Sequence, residues 1–123
     1  MITHPFALYV PADLDEALEI LGHHGQAARP LGGGTVLLPE MSRGTILPEA
    51  VVDLSRCGLD AVRREEGYLS VGATATYRQL EREEGLLGMF AQAITGGPQI
   101  RNRATIGGSV AWANPKFFSA DVR

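Results

Sequence analysis

The feature that most restricts the fold of this chain is Gly32-Gly33-Gly34, set directly after the short predicted strand Ala28 to Leu31 and followed by Thr35. Three glycines in a row permit backbone angles closed to other residues. They also strip the bend of side chains, so a ligand can approach the main chain and successive N–H groups can form a concavity for an anion. Phosphate is the commonest guest, above all where a helix N-terminus follows. A second cluster, Ile106-Gly107-Gly108, again joins an apolar anchor to bare backbone, with Arg101 and Arg103 just upstream. Two such bends far apart in the chain point to a diphosphate held between two lobes. Read alone, a glycine triplet serves equally well as a tight turn without a ligand, and the arginines as ordinary surface residues.

The first bend follows neither of the two common phosphate-loop patterns. A Walker A loop needs Gly-Lys-Ser/Thr at its end, and no lysine follows Gly34. In the Rossmann pattern Gly32 and Gly34 match the first two glycines, but Leu37 stands where the third belongs.

Composition narrows the function classes. At 123 residues the chain is long enough to bury a core. Fifteen glycines exceed the roughly 7% typical of proteins. A net charge of -3 argues against a nucleic-acid partner, which needs a basic face. A single cysteine, Cys57, excludes an intramolecular disulfide and a multi-cysteine metal site. No apolar stretch approaches the roughly 18–20 residues of a membrane span, and Met1 to Val10 has no signal-peptide pattern. The expected compartment is the cytoplasm.

Periodicity outlines two regions, 1–55 and 56–123. In the first, Phe6 to Val10 reads as a strand. Asp13 begins a helix with Glu16 in capping-box position, and Leu14, Ala17, Leu18 and Leu21 form its apolar face. Gly22 or Gly25 closes it. Ala28 to Leu31 is a second strand, Val36 to Met41 one helical turn stopped by Pro39, Ser42 to Glu49 a loop, and Ala50 to Leu54 a buried strand. A parallel pairing through the helix is right-handed. In the second region, Leu59 to Arg64 and Tyr68 to Val71 flank Glu65-Glu66-Gly67 as a hairpin. Thr76 caps a short helix through Glu84 whose Arg78, Glu81, Arg82, Glu83 and Glu84 form a solvated face. Leu86 to Thr95 reads as a buried helix broken by Gly96-Gly97-Pro98, and Val110 to Ala113 as a strand.

Other constellations are bland. His23 and His24 point about 100° apart on a helix and chelate one metal poorly. Cys57 reads as a small buried hydrophobe. Asp53 ends a strand and can cap the turn at Ser55. No carboxylate pair and no nucleophile with a nearby base stands out, so neither a catalytic residue nor a metal ligand is assigned. Any chemistry falls to a cofactor.

The motifs taken together carry a resemblance. Leu31-Gly32-Gly33-Gly34-Thr35-Val36-Leu37-Leu38-Pro39, then Met41, resembles the first flavin loop of the FAD-binding medium subunits of molybdenum hydroxylases, the carbon monoxide dehydrogenase and xanthine dehydrogenase type. Val52-Asp53-Leu54-Ser55 with Gly58-Leu59, and Leu69 to Thr76 with Val71-Gly72-Ala73-Thr74, resemble the next blocks. The most specific is Pro98-Gln99-Ile100-Arg101-Asn102-Arg103-Ala104-Thr105-Ile106-Gly107-Gly108-Ser109.

The resemblance implies an α+β chain with the two-lobed FAD-binding fold of the vanillyl-alcohol oxidase and CO dehydrogenase flavoprotein type, its second lobe truncated. It implies FAD as cofactor, with Gly32, Gly33, Gly34, Thr35 and Val36 in one loop and Thr105, Ile106, Gly107 and Gly108 in the other embracing the diphosphate. Ile106 is then near the flavin ring, and Asn114 joins the site. It also implies an oxidoreductase role in electron transfer, from iron–sulfur and molybdopterin-binding subunits through the flavin to an external acceptor. In places the chain departs from the family. Val36 stands where Ser or Asp is common, Phe118 takes the place of an acidic residue, and full members run well over twice this length. A truncated second lobe leaves an open sheet edge, so self-association or a chain that completes the sheet is expected. The alternative role is a non-catalytic remnant of the fold that serves as an assembly module, with weak or no FAD binding. A third reading, a generic phosphate-binding domain, predicts affinity for ADP without flavin.

Overall fold

The computed structural model describes residues 1–82 and 103–112. Contacts divide the chain into two units, Met1–Leu59 and Asp60–Arg123.

The first unit is built on a run that cannot sit at a surface. Ala50, Val51 and Val52 are each no more than 1% exposed, and they make up most of β3 (Ala50–Asp53). An apolar strand without alternation belongs in the middle of a parallel sheet, covered on both faces. β3 accordingly lies between β1 (Ala7–Tyr9) and β2 (Ala28–Leu31), parallel to both. The two strands joined by the first helix therefore do not pair with each other. β3, later in sequence, is inserted between them because its all-apolar face pattern suits the centre. β2 carries Pro30, which cannot donate to a ladder, and occupies the edge where that costs least.

Register explains how the helix packs. Ala7, Ala50 and Ala28 lie side by side across the sheet, with Tyr9, Val52 and Pro30 two positions on along the same face. The ring of Tyr9 meets that of His24 on α1 (Leu14–His24) at 5.5 Å, so this is the face that α1 covers. The buried Ala28 and Ala50 let a helix approach closely, and α1 turns its own alanine, fully buried Ala17, towards the sheet, while Ala7 on the far edge strand stays exposed. The expected leucine face is thereby corrected. Leu14 and Leu18 are 43% and 56% exposed, while Ile20, Leu21 and His24 are half-buried beside Ala17.

Helix ends follow local chemistry. The Asp13 carboxylate accepts from the N–H of Glu16 at 2.8 Å, as its position in the sequence requires. Glu16 reaches back one residue further than a capping box, to the N–H of Ala12 at 3.0 Å. Of the two candidates, Gly25 closes the helix, donating to Leu21 O. α2 (Leu37–Arg43) is longer than expected. Pro39 lies in its first turn, where a missing N–H removes nothing, so it does not end the helix. Gly44 does, through N–H bonds to the carbonyls of Glu40 and Met41. Part of the expected loop Ser42 to Glu49 is thus helix. After β3, the Asp53 carboxylate accepts from the N–H of Ser55 at 2.9 Å, the expected turn.

Cys57 is half-buried rather than a core residue. Its Sγ donates to the carbonyls of Asp13 at 3.5 Å and Pro11 at 3.8 Å, tying this loop to the start of α1. Partial burial pushes the thiol pKa up, and the charges of Asp13, Glu16 and Asp53 add to the effect. On α2, Glu40 accepts from the Thr45 hydroxyl and pairs with Arg43. The Thr45 bond first, then Arg43, holds its carboxyl below the ordinary carboxylate range.

The second unit begins with an antiparallel hairpin, β4 (Val62–Glu65) and β5 (Tyr68–Val71), turned by Glu66 and Gly67 at φ 82°. In β5 Leu69 and Val71 are half-buried while Tyr68 and Ser70 are exposed, the alternation of a sheet with one wet face. α3 (Tyr77–Leu80) starts with a full capping box, Thr76 accepting from Gln79 N–H and Gln79 reciprocating. It ends sooner than expected, and its polar face is not wholly solvated. Glu81 is largely covered and pairs with Arg78 at 2.9 Å. The core here is Ala75, Tyr77, Leu80 and Ala104, with Val62, Val71 and Ile106 packed against it. α4 (Ile106–Trp112) replaces the strand expected from Val110. The expectations for Glu83, Glu84, Leu86 to Thr95, Gly96 to Arg101 and the segment after Trp112 lie outside the described residues.

Asp13→Ala is expected to lower the stability of the chain by about 1 kcal/mol, read by chemical denaturation, because it removes the acceptor for the first turn of α1. The rate of Cys57 alkylation by iodoacetamide, followed against pH, is expected to rise at a higher midpoint than that of a free thiol. A midpoint at or below the free-thiol value contradicts the account of its surroundings. Glu40 has a depressed pKa in the fold, so its contribution is present above the unfolded-state value and is lost as pH falls through the folded one. Thr45→Val should flatten that part of the acid-denaturation profile.

Candidate functional site

The first glycine bend joins β2 to α2 in the first unit. Residues Gly32, Gly33, Gly34, Thr35 and Val36 are all half-buried. Gly34 has φ 77°, in the left-handed region, and a Cβ there would stand 2.8 Å from the Leu38 side chain. Glycine is therefore favoured at this position by its backbone conformation, and the Leu38 side chain would have to move to admit a Cβ. Leu38 N–H bonds back to Gly34 O at 3.3 Å, starting the helix.

Val36 then stands at the N-cap of α2 and makes no side-chain capping bond. The other described helices start differently. Asp13 caps α1, Thr76 caps α3, and the Thr105 hydroxyl accepts from Gly108 N–H at 3.1 Å in the first turn of α4. Among the described α-helices, the one that follows the glycine triplet is thus the one whose start takes no acceptor from a side chain. Its first turn is suited to an outside acceptor of negative charge.

The second bend proves to be the first turn of α4, with a character the sequence did not suggest. Thr105 is 5% exposed and bridges Thr76 in antiparallel fashion. Tyr77 N–H donates to Ala104 O at 3.0 Å, Ile106 N–H to Ala75 O at 3.0 Å, and Gly107 N–H to Ala73 O at 2.9 Å. The backbone of Ile106 and Gly107 is therefore engaged by the protein itself. A side chain at Gly107 would meet Ala73 of the protein itself. Gly108 differs. It is exposed, and among the described residues a Cβ there would meet only the Thr105 hydroxyl, at 3.1 Å. Ala73 is the residue that sequence reasoning passed over as a partner of Gly107. Its one signal was the run of small residues Gly72-Ala73-Thr74-Ala75. Arg103 is exposed, and Arg101 and Asn114 lie outside the described residues.

The FAD expectation fits the first bend well and the second in part. The Gly32–Val36 segment has bare backbone leading into an uncapped helix start. In the second, Gly108 remains on the exposed side, while the neighbouring amides are already committed. A separate open cleft of about 410 Å³ on the first unit is lined by Tyr9, Glu16, Glu19, Ile20, His23 and His24. The two histidine rings meet edge to face at 5.1 Å. Among the described residues no group of three His, Cys, Asp or Glu is placed to hold a metal.

Comparison with known proteins agrees with the resemblance. Residues 4–122 match the family described as the FAD binding domain in molybdopterin dehydrogenase. The chain is 34% identical over 121 residues to the carbon monoxide dehydrogenase medium chain of Hydrogenophaga pseudoflava, covering 94% of this chain and 42% of that one. It is 32% identical over 114 residues to the nicotinate dehydrogenase FAD-subunit of Eubacterium barkeri, covering 86% and 38%. The solved carbon monoxide dehydrogenase from Hydrogenophaga pseudoflava that lacks the Mo-pyranopterin moiety superposes with a TM-score of 0.88 at 33% identity, over 97% of this chain and 44% of that chain. Quinoline 2-oxidoreductase from Pseudomonas putida 86 gives 0.83 at 30% identity, over 93% and 42%. The chain spans less than half the length of these relatives. Its fold is the α+β fold of the CO dehydrogenase flavoprotein type. With its motifs in family order and a match running from residue 4 to residue 122, the chain belongs to the FAD-binding domain family of molybdopterin dehydrogenases, the flavin subunits of molybdenum hydroxylases.

Proposed function

We propose that this chain supplies the FAD site of a molybdopterin-dependent oxidoreductase and works alongside iron–sulfur and molybdopterin-binding subunits in the cytoplasm. When bound, FAD would supply the redox chemistry between iron–sulfur clusters and an external acceptor. The chain's own task is to bind and orient. Gly32 to Thr35 approach the diphosphate with main chain alone, and the start of α2 at Val36 offers its positive end to it. Thr105 fixes the turn that carries Gly108, and Ile106 would lie near the ring. No acid or base is asked of these residues.

The observation that carries this reading is the missing side-chain cap on α2, immediately after three glycines. Val36 fills the position where the family commonly has a polar residue, so the cofactor loses one side-chain contact and depends more on the backbone. The exposed apolar residues Leu8, Leu14, Leu18 and Leu47 support a role within a larger assembly. No helix among the described residues is long and apolar enough to cross a membrane. The committed amides of Ile106 and Gly107 favour a second reading, a remnant of the fold that binds flavin weakly or not at all and serves in assembly.

Purified full-length chain, with FAD added and excess removed, is expected to retain the visible flavin spectrum, and FAD to displace bound ADP. Colourless protein that takes up no FAD supports the remnant. ADP binding without flavin uptake supports a plain phosphate site. Gly33→Val is expected to abolish FAD uptake while far-UV circular dichroism stays close to that of the parent.

A further inference from the structure

The two glycines of Thr105-Ile106-Gly107-Gly108 do different work. A Cβ at Gly107 would lie 2.7 Å from the carbonyl oxygen of Ala73, 2.9 Å from its Cβ and 3.1 Å from its Cα. Two of these are closer than real Cβ contacts come, and two of the three atoms are backbone that cannot swing aside. The same carbonyl accepts the Gly107 N–H at 2.9 Å. On the adjacent residue the situation is relaxed, because Gly108 is exposed and its one near neighbour among the described residues is the Thr105 hydroxyl.

Gly107 therefore faces protein and Gly108 faces outward. We infer that Gly107 is a positioning residue: its bare α-carbon seats the first turn of α4 on Ala73, and through that seat sets where Thr105, Ile106 and Gly108 present themselves to the cofactor. The inference rests on the FAD reading above and deepens it. The physical reason is that α4 is anchored at its start by three neighbouring backbone bonds, Tyr77 to Ala104, Ile106 to Ala75 and Gly107 to Ala73. An added methyl at residue 107 breaks the last and levers on the other two. The loop then shifts as a body, although no cofactor contact has been deleted.

The test compares the parent chain with Gly107→Ala, Gly108→Ala, Ala73→Gly and the double variant Ala73→Gly/Gly107→Ala. Three quantities are read: Tm without FAD, FAD affinity by flavin fluorescence, and the visible circular dichroism of bound flavin. Gly107→Ala is expected to lower the Tm without FAD, to weaken FAD binding roughly tenfold or more, as overpacking does, and to alter the flavin dichroism. Ala73→Gly removes the methyl contact but keeps the closer carbonyl contact, so the double variant should regain at most part of the Tm, and the affinity in step with it. Gly108→Ala should leave the Tm without FAD near the parent value.

An unchanged Tm for Gly107→Ala overturns the inference. So does a Gly107→Ala chain whose FAD affinity and flavin dichroism match the parent despite a lowered Tm, since the seat on Ala73 then does not set how the loop meets the cofactor. A double variant that recovers Tm but not FAD affinity also overturns it, because Gly107 would then touch the cofactor directly. A parent chain that takes up no FAD sinks the flavin reading itself, and with it the positioning role, while the Tm comparison still reports on the Ala73 contact.

Discussion

The second unit depends on one close approach of backbone to backbone, Gly107 against Ala73. Around it the segments 73–77 and 104–107 lie side by side, joined by the bonds from Tyr77, Ile106 and Gly107. Two stretches separated by some thirty residues of sequence are thereby held in register without belonging to a regular sheet. Burial follows from that register. Ala75, Tyr77, Leu80 and Ala104 close over one another, and Ile106, Val62 and Val71 complete the cluster. Small side chains at Ala73, Ala75 and Ala104 are what allow the strands of the bridge to approach, and a larger residue at any of them would hold the pair apart.

The first unit solves a similar problem with alanine in place of glycine. Ala7, Ala50 and Ala28 form a row across three parallel strands, and Ala17 brings α1 down onto the sheet. The central position of β3 then sets the direction in which β2 ends, and β2 runs directly into the glycine triplet. Gly34 turns the chain with a left-handed residue and α2 begins with no side-chain acceptor. The placement of an anion-suited helix start at the end of a parallel strand is therefore a consequence of strand order and turn geometry.

The two devices are built in different ways. The Gly32–Val36 segment offers main chain and an open helix start. The Thr105–Gly108 segment offers a rigid frame whose inner face is already bonded to the protein. A glycine-rich motif is commonly read as ligand-facing throughout, and here that holds for one glycine of the pair at most. Removing a side chain serves both close approach of a ligand and close approach of the protein to itself, and the residue name alone does not say which.

Much was legible in the residues. Strands at Phe6–Val10, Ala28–Leu31 and Ala50–Leu54, the Asp13 and Thr76 caps, the hairpin around Glu66-Gly67 and the Asp53 turn all follow from local rules. So did the family, because its motifs are short, specific and in order. These features are decided within a few residues of chain, by capping geometry, turn preference and apolar runs. Other features were settled only in three dimensions: the insertion of β3 between β1 and β2, the turning of Leu14 and Leu18 to solvent, the continuation of α2 past Pro39, and α4 in place of a strand. Each depends on which distant backbone arrives alongside, as Ala73 does beside Gly107. Local sequence encodes the conformations a segment can adopt, whereas steric contact with a remote segment selects among them.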